Sequence, residues 1–267
     1  MASEHVVKGY DEELQKLNNT ITEMGGLAES QLATAIDAVV KRDSELAATV
    51  VEGDAKVDHL QRDSDNLAIR LLALRQPMAR DLREILAALK IASDLERVAD
   101  YAANVAKRAI ALNQTPPVRP VYALPRMAQL AQLLIKDVID AYVARDADRA
   151  YAVWMRDAEL DEMYSSLFRE LLTYMMEDPR NISACTHLLF MAKNIERIGD
   201  HATNIAEDLY YLVHGTPLTE ACRRSHPPAT QGVECSRERR HCADGPLGRL
   251  RDRSPPVNSR AAPTAAG

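Results

Sequence analysis

The chain has 267 residues, a formal net charge of −6, 46% apolar and 27% charged residues, which are ordinary values for one large or two small globular domains. No apolar run reaches the roughly 18 residues of a membrane span, and residues 1–10 lack a signal-peptide pattern, so we expect a cytoplasmic protein. With two Phe and one Trp against abundant Ala and Leu, the composition favours packed helices over a β-sandwich.

The first predicted helix carries apolar residues at alternating steps of three and four between Tyr10 and Val39. Gly25 and Gly26 interrupt it at a cost of roughly 1 kcal/mol each, which suggests a bend or a close approach to another helix. We expect Asp43 to cap the next helix.

The next segment contains a second and a third predicted helix. Gly53 is expected to divide a short helix from a longer one that reaches about Arg75. Pro77 lies in the first turn of the third helix, which continues to about Asn113 and is stopped by the Thr-Pro-Pro sequence at residues 115–117.

The chain then repeats this plan. ERVADYAANVA begins at Glu96, and ERIGDHATNIA begins at Glu196. A period of one hundred residues is a whole structural unit that has been copied. A helix is expected over roughly 121–145, followed by the counterparts of the second and third helices, and strand signals are absent. The sequence therefore predicts an all-α fold of two tandem three-helix bundles, with domains at 1–115 and 116–213.

Residues 214–267 differ from the rest of the chain. They hold nine Arg, no Lys and five acidic residues, together with seven of the thirteen Pro, and leave a net charge of −10 on residues 1–213. That charge argues against nucleic acid as a partner of the folded part. We expect the tail to be disordered, because its composition cannot bury enough apolar surface. Its potential metal ligands match no common zinc-finger spacing; they are Cys222, Cys235, His241 and Cys242.

Acidic pairs four residues apart are the candidate site, because this spacing places both carboxylates on one helix face. Each repeat has one such pair on its middle helix and one on its last helix, where the pair continues an apolar stripe. If these helices face each other, each bundle presents four carboxylates across one groove, which suits hard cations such as Mg²⁺ or Mn²⁺ and also iron. The pairs are Asp54 with Asp58, Glu96 with Asp100, Asp157 with Asp161, and Glu196 with Asp200.

Other chemistry is weakly supported. Asn104, Asn204 and His201 lie within helical reach of the pairs, as secondary ligands or as residues that hold the ligands in place. A Glu-x-x-x-Asp pair on a helix is commonly a solvated face, so a scaffold without metal stays an alternative. We find no nucleophile arrangement and no Gly-rich phosphate loop, and residues 1–213 lack the Glu-x-x-His pair of ferritin-like di-iron bundles.

The doubled motifs resemble the paired signatures of the PhoU family of bacterial phosphate-signalling regulators. The sequences YDEEL at Tyr10, MGGLAE at Met24 and RQPMARDLR at Arg75 are similar to the family as well. The resemblance covers about residues 5–213. The tail departs from it, since family members typically end soon after the position of Val213; it is either a lineage-specific extension or an out-of-frame translation.

The resemblance implies a non-enzymatic negative regulator of phosphate uptake and of the phosphate-starvation response. Such a protein connects the ATPase of the phosphate ABC transporter with the sensor histidine kinase of the phosphate regulon, and reaches the membrane only through these partners. It also implies a homodimer or higher oligomer, and metal ions (iron, zinc, manganese or magnesium) held by the eight carboxylates named above. The alternative is a carboxylate-bridged metalloenzyme or metal store, which would need an open coordination position.

Overall fold

The computed structural model describes residues 2–75, 78, 80–117 and 122–218, and these residues are helical apart from their connections. None of the helices in this part of the chain combines the length and the apolar character that a membrane span requires. The predicted tail lies outside the described residues from position 219 onward. The helices are α1 (Ala2–Lys41), α2 (Ser44–Arg75), α3 (Arg80–Leu112), α4 (Leu124–Ala144), α5 (Ala147–Met155), α6 (Asp157–Glu177) and α7 (Ile182–His214).

The helices form two three-helix units in tandem, as the sequence predicted. In the first unit α1, α2 and α3 pack against one another, and in the second α4 and the successive helices α5 and α6 pack against α7. Both units contribute to one continuous apolar core, made largely of Ala, Leu, Ile and Val side chains. The 3.6-residue apolar period is what turns these faces inward.

The predicted interruption at Gly53 is wrong, because α2 runs through this residue without a break. A single helical glycine costs only about 1 kcal/mol, and the buried side chains of Val50 and Val57 hold both flanks of Gly53 in the core. The interruption occurs instead at Arg156, the repeat equivalent of Gly53, where α5 ends and α6 begins. There the Arg156 N–H donates to Val153 O at 3.0 Å, in a tighter turn than an α-helix.

Helices α1 and α4 end in the same backbone conformation. Arg42 and Arg145 both adopt a left-handed conformation at φ 55°, and the following aspartate caps the next helix. Asp43 accepts from the Leu46 N–H at 2.9 Å, which confirms the predicted cap. The Arg42 guanidinium also donates to main-chain carbonyls at the end of α3, including Asn113 O at 2.8 Å. The last helix, α7, ends at Gly215, which has φ 71°.

Helices α3 and α7 join the two units and run antiparallel. Lys90 pairs with Asp208 at 2.8 Å near one end of the contact, and the Arg108 guanidinium lies 4.1 Å from the Phe190 ring centroid near the other. Lys90 is the repeat equivalent of Phe190, and Arg108 is that of Asp208. The two contacts therefore occupy equivalent positions, which an approximate twofold axis between the helices exchanges.

Gly25 explains the glycine pair in α1. A β-carbon at Gly25 would lie 2.7 Å from Ile139 Cγ1, whereas one at Gly26 would meet nothing within 4 Å. Ile139 belongs to α4, so Gly25 permits the close approach of α1 to α4 across the two units, as one of the two expectations had it. Helix α1 continues through both glycines.

Candidate metal centres

The eight predicted carboxylates lie on four helices that pack in pairs. In the first unit α2 carries Asp54 and Asp58 opposite the pair on α3, and in the second α6 carries Asp157 and Asp161 opposite the pair on α7. We call these groups the first and second acidic clusters. The first consists of Asp54, Asp58, Glu96 and Asp100; the second consists of Asp157, Asp161, Glu196 and Asp200.

Three members of the second cluster already converge on one point. Asp161, Glu196 and Asp200 each offer a carboxylate oxygen, and these atoms lie within 4.8 Å of one another. The Glu196 side chain is only 12% exposed, while Asp161 and Asp200 open to solvent. A half-open group of oxygen ligands is the arrangement that hard divalent cations use in proteins.

Gly199 positions α6 for this convergence. A β-carbon at Gly199 would overlap Leu160 Cδ2 and would lie 3.8 Å from Asp157 Oδ1. The equivalent positions of the first repeat carry Ala99 and Val57, both fully buried. The first repeat thus packs Ala99 against Val57, and the second packs the smaller Gly199 against the larger Leu160. The total side-chain volume at the two contacts is therefore similar.

Burial, and after it the crowding of like charges, raises the pKa of several cluster carboxyls. In the second cluster burial is the main cause for Asp157 and Asp200, followed by Asp161 and Glu196 respectively. In the first cluster burial raises the pKa of Asp54 and Glu96, and Asp100 is the next cause for both. The charged carboxylates of each cluster would therefore be stabilised by additional positive charge.

One buried carboxylate oxygen in each cluster shows where a positive charge is needed. Asp54 Oδ1 is buried and has no hydrogen-bond partner in the described part of the chain. Glu196 Oε2 is also buried, but it is already ion-paired with the ammonium group of Lys193. An unpaired buried carboxylate oxygen such as Asp54 Oδ1 is costly unless a cation is bound, so the residues present fit a hard metal ion.

The structure adds two cations that the prediction left out of the site. The Arg97 guanidinium contacts Glu96 Oε2 and Asp100 Oδ2, each at 3.4 Å. Lys193 pairs with Glu196 from the preceding helical turn. The spacing of three residues between Lys193 and Glu196 was a visible signal, because side chains three apart share a helix face.

His201 and Asn204 contact Asp94 on the opposite repeat. His201 Nδ1 lies 2.7 Å from Asp94 Oδ1, and Asn204 Nδ2 lies 3.5 Å from the same oxygen. Both side chains thus reach across the contact between α3 and α7 and tie the repeats together. Their helical spacing from Glu196 was correct, but the adjacent helix supplied a nearer partner.

This chain is similar in sequence to a known protein family. The model of the PhoU domain matches twice, at residues 21–109 and 124–209. A phosphate-specific transport system accessory protein PhoU homolog from Caulobacter vibrioides is 55% identical over 81% of this chain and 95% of the relative. A homolog with the same description from Rhizobium meliloti is 51% identical over 80% of this chain and 91% of the relative.

Solved structures show the same fold. The crystal structure of PhoU from Pseudomonas aeruginosa superposes with a TM-score of 0.76 at 40% identity and covers 78% of this chain and 100% of that one. The phosphate transport system regulatory protein PhoU from Streptococcus pneumoniae gives a TM-score of 0.73 at 28% identity, covering 79% and 99%. The chain belongs to the PhoU family.

Proposed function

We propose that the protein is a non-enzymatic regulator of phosphate uptake that acts from the cytoplasm. The observation that carries this proposal is the two-repeat match to relatives described as accessory proteins of phosphate-specific transport. In this role it senses the state of the phosphate ABC transporter through its ATPase subunit and restrains the sensor histidine kinase of the phosphate regulon when phosphate is ample. A homodimer or higher oligomer is the proposed working form.

The acidic clusters are proposed to hold divalent metal ions that brace the helices, with 1–115 and 116–213 as the two metal-bearing domains. The donor set is all oxygen, and Asp54 Oδ1 is buried without a hydrogen-bond partner among the described residues. An ion between α2 and α3, or between α6 and α7, opposes separation of those helices because its loss leaves uncompensated charge. The proposed ligands are the eight carboxylates of the two clusters.

Alkaline phosphatase activity in phosphate-replete cells tests the regulatory role. We expect activity to rise when the gene is deleted from its source bacterium, and to fall again when a copy truncated after Val213 is returned. Unchanged activity after deletion would refute the regulatory proposal. Failure of only the truncated copy would show that the tail takes part.

Metal content of the purified chain tests the clusters separately. A variant with Glu96→Ala and Asp100→Ala is expected to lose the metal of the first cluster and to keep that of the second. Equal metal content in the variant and the parent would refute the assignment of these ligands. Loading far beyond a few ions per chain would favour the metal-store alternative, for which the many carboxylates of the clusters are the supporting observation.

A further inference from the structure

The two acidic clusters share their carboxylate pattern but differ in the cation that the chain itself supplies. We infer that Arg97 is a built-in competitor for the metal at the first cluster, and that the second cluster therefore binds a divalent cation more tightly. This inference rests on the proposed metal centres and concerns how they differ.

In the first cluster the guanidinium of Arg97 takes a bridging position. Its Nε lies 3.4 Å from Glu96 Oε2, and its Nη1 lies 3.4 Å from Asp100 Oδ2. These are the two carboxylates that α3 would offer to an ion. Among the described residues, three oxygens within ligand distance of one another are found in the second cluster and not in the first. Arg97 accounts for this difference because it draws both α3 carboxylates towards itself.

The repeat equivalent of Arg97 is Arg197, and it points elsewhere. Its guanidinium carbon lies 5.6 Å from the ring centroid of Tyr101 on α3. That distance is within the range of a cation–π contact, for which a phenol ring is a good partner. The Tyr101 ring is itself packed against the His201 ring, with centroids 5.6 Å apart. Arg197 is thus held away from Glu196 and Asp200.

The residue opposite Arg97, at the position equivalent to that of Tyr101 opposite Arg197, is not a tyrosine. The twofold relation between the repeats exchanges Tyr101 with His201, so the residue facing Arg97 across the contact is an imidazole. That imidazole is engaged by Asp94 at 2.7 Å. Because no phenol ring faces it, the Arg97 guanidinium contacts the carboxylates of its own helix instead. One Tyr-to-His difference between the repeats therefore explains the two arginine positions.

Lys193 is a weaker competitor at the second cluster. Its single ammonium pairs with Glu196 and lies 5.4 Å from the Tyr164 ring centroid, and among the described residues its ion pairing involves neither Asp161 nor Asp200. Its repeat equivalent is Ser93, which carries no charge, so Lys193 and Arg97 reach their clusters from different helical positions. Displacing Lys193 breaks one ion pair, whereas displacing Arg97 breaks two.

The expected size of the effect is modest. Exposed ion pairs contribute little each, and a cation within about 5 Å of a divalent ion also repels it in a medium close to water. We expect removal of the Arg97 charge to raise Mn²⁺ affinity at the first cluster by about three- to tenfold.

Titration of the metal-free full-length protein with Mn²⁺, followed by electron paramagnetic resonance of the free ion, tests the inference. The parent should show a tighter and a weaker class of site, and Glu196→Gln with Asp200→Asn should remove the tighter class. Arg97→Gln should tighten the weaker class, while the matched control Arg197→Gln should leave both classes unchanged. Circular dichroism checks that each variant is folded.

Three outcomes would overturn the inference. They are equal effects of the two arginine variants, loss of the weaker class when the second cluster is removed, and no Mn²⁺ binding by the parent. The last outcome would also refute the metal centres, but it would leave the regulatory role to the phosphatase assay. A further variant, Tyr101→Leu, should release Arg197 and weaken the second cluster, and unchanged affinity would count against the role assigned to the ring.

Discussion

Replacing Gly199 by alanine places a methyl group where a terminal methyl of Leu160 already lies. Overpacking of this kind costs about 1–3 kcal/mol of unfolding free energy, and the better helix propensity of alanine returns about 1 kcal/mol. We therefore expect Gly199→Ala to destabilise the parent by up to about 2 kcal/mol. Leu160→Val alone should cost about 0.5–1.5 kcal/mol, because it removes one buried carbon.

The double variant gives the sharper result. Together the two substitutions recreate the Ala99 and Val57 combination of the first repeat, so the alanine methyl finds space and its helix propensity is recovered. Gly199→Ala should then stabilise the Leu160→Val protein, with a coupling free energy of at least about 1 kcal/mol. Urea unfolding followed by circular dichroism measures all four proteins. Additive effects, with coupling near zero, would refute the idea that Gly199 and Leu160 compensate each other.

Three further expectations concern single sites and use urea unfolding of metal-free protein. Burial, followed by Asp161, raises the pKa of Asp157, so the protein loses stability as the pH rises from the ordinary aspartate pKa through the folded pKa of this carboxyl. The stability of the parent relative to Asp157→Asn should therefore rise as the pH falls through that interval, and equal pH profiles would contradict this. Gly215→Ala should cost about 1–2 kcal/mol, because φ is 71° and the new methyl would overlap the end of the Arg83 side chain. The helical control Gly26→Ala, whose new methyl meets no neighbouring atom within 4 Å, should gain about 0.5–1 kcal/mol, and equal effects would contradict this reasoning. Arg42→Gln should cost about 1–2 kcal/mol through lost hydrogen bonds to the end of α3, and an unchanged midpoint would show that water replaces them.

The sequence predicted what depends on periodicity within one helix. Apolar steps of three and four identified the long helices, and the spacing of Glu96 and Asp100 placed both carboxylates on one face. What it missed depends on neighbours from other helices. Gly53 looked like a helix break because its flanking residues gave no sign of how firmly the core holds them. The contact of His201 with Asp94 was also missed, because Asp94 lies on another helix.

The interruption at Arg156 and the position of Arg97 show the same limit. Arg156 was not singled out, since arginine is a good helix former and its turn depends on the start of α6. Arg97 and Arg197 occupy equivalent positions in the sequence, and the rings that face them come from the opposite repeat. A single helix carries no information about that contact.

The paired contacts along α3 and α7 make each half specific for the other. If the first repeat alone formed a symmetric dimer through the same face, Lys90 would meet Arg108 of the second copy, twice, with like charges opposed. The second repeat alone would place Phe190 against Asp208 and leave the carboxylate without its ammonium partner. Only the covalent pair joins Lys90 to Asp208 and Arg108 to Phe190. The two copies of this surface have thus diverged so that each pairs better with the other than with itself, which disfavours self-association of either half.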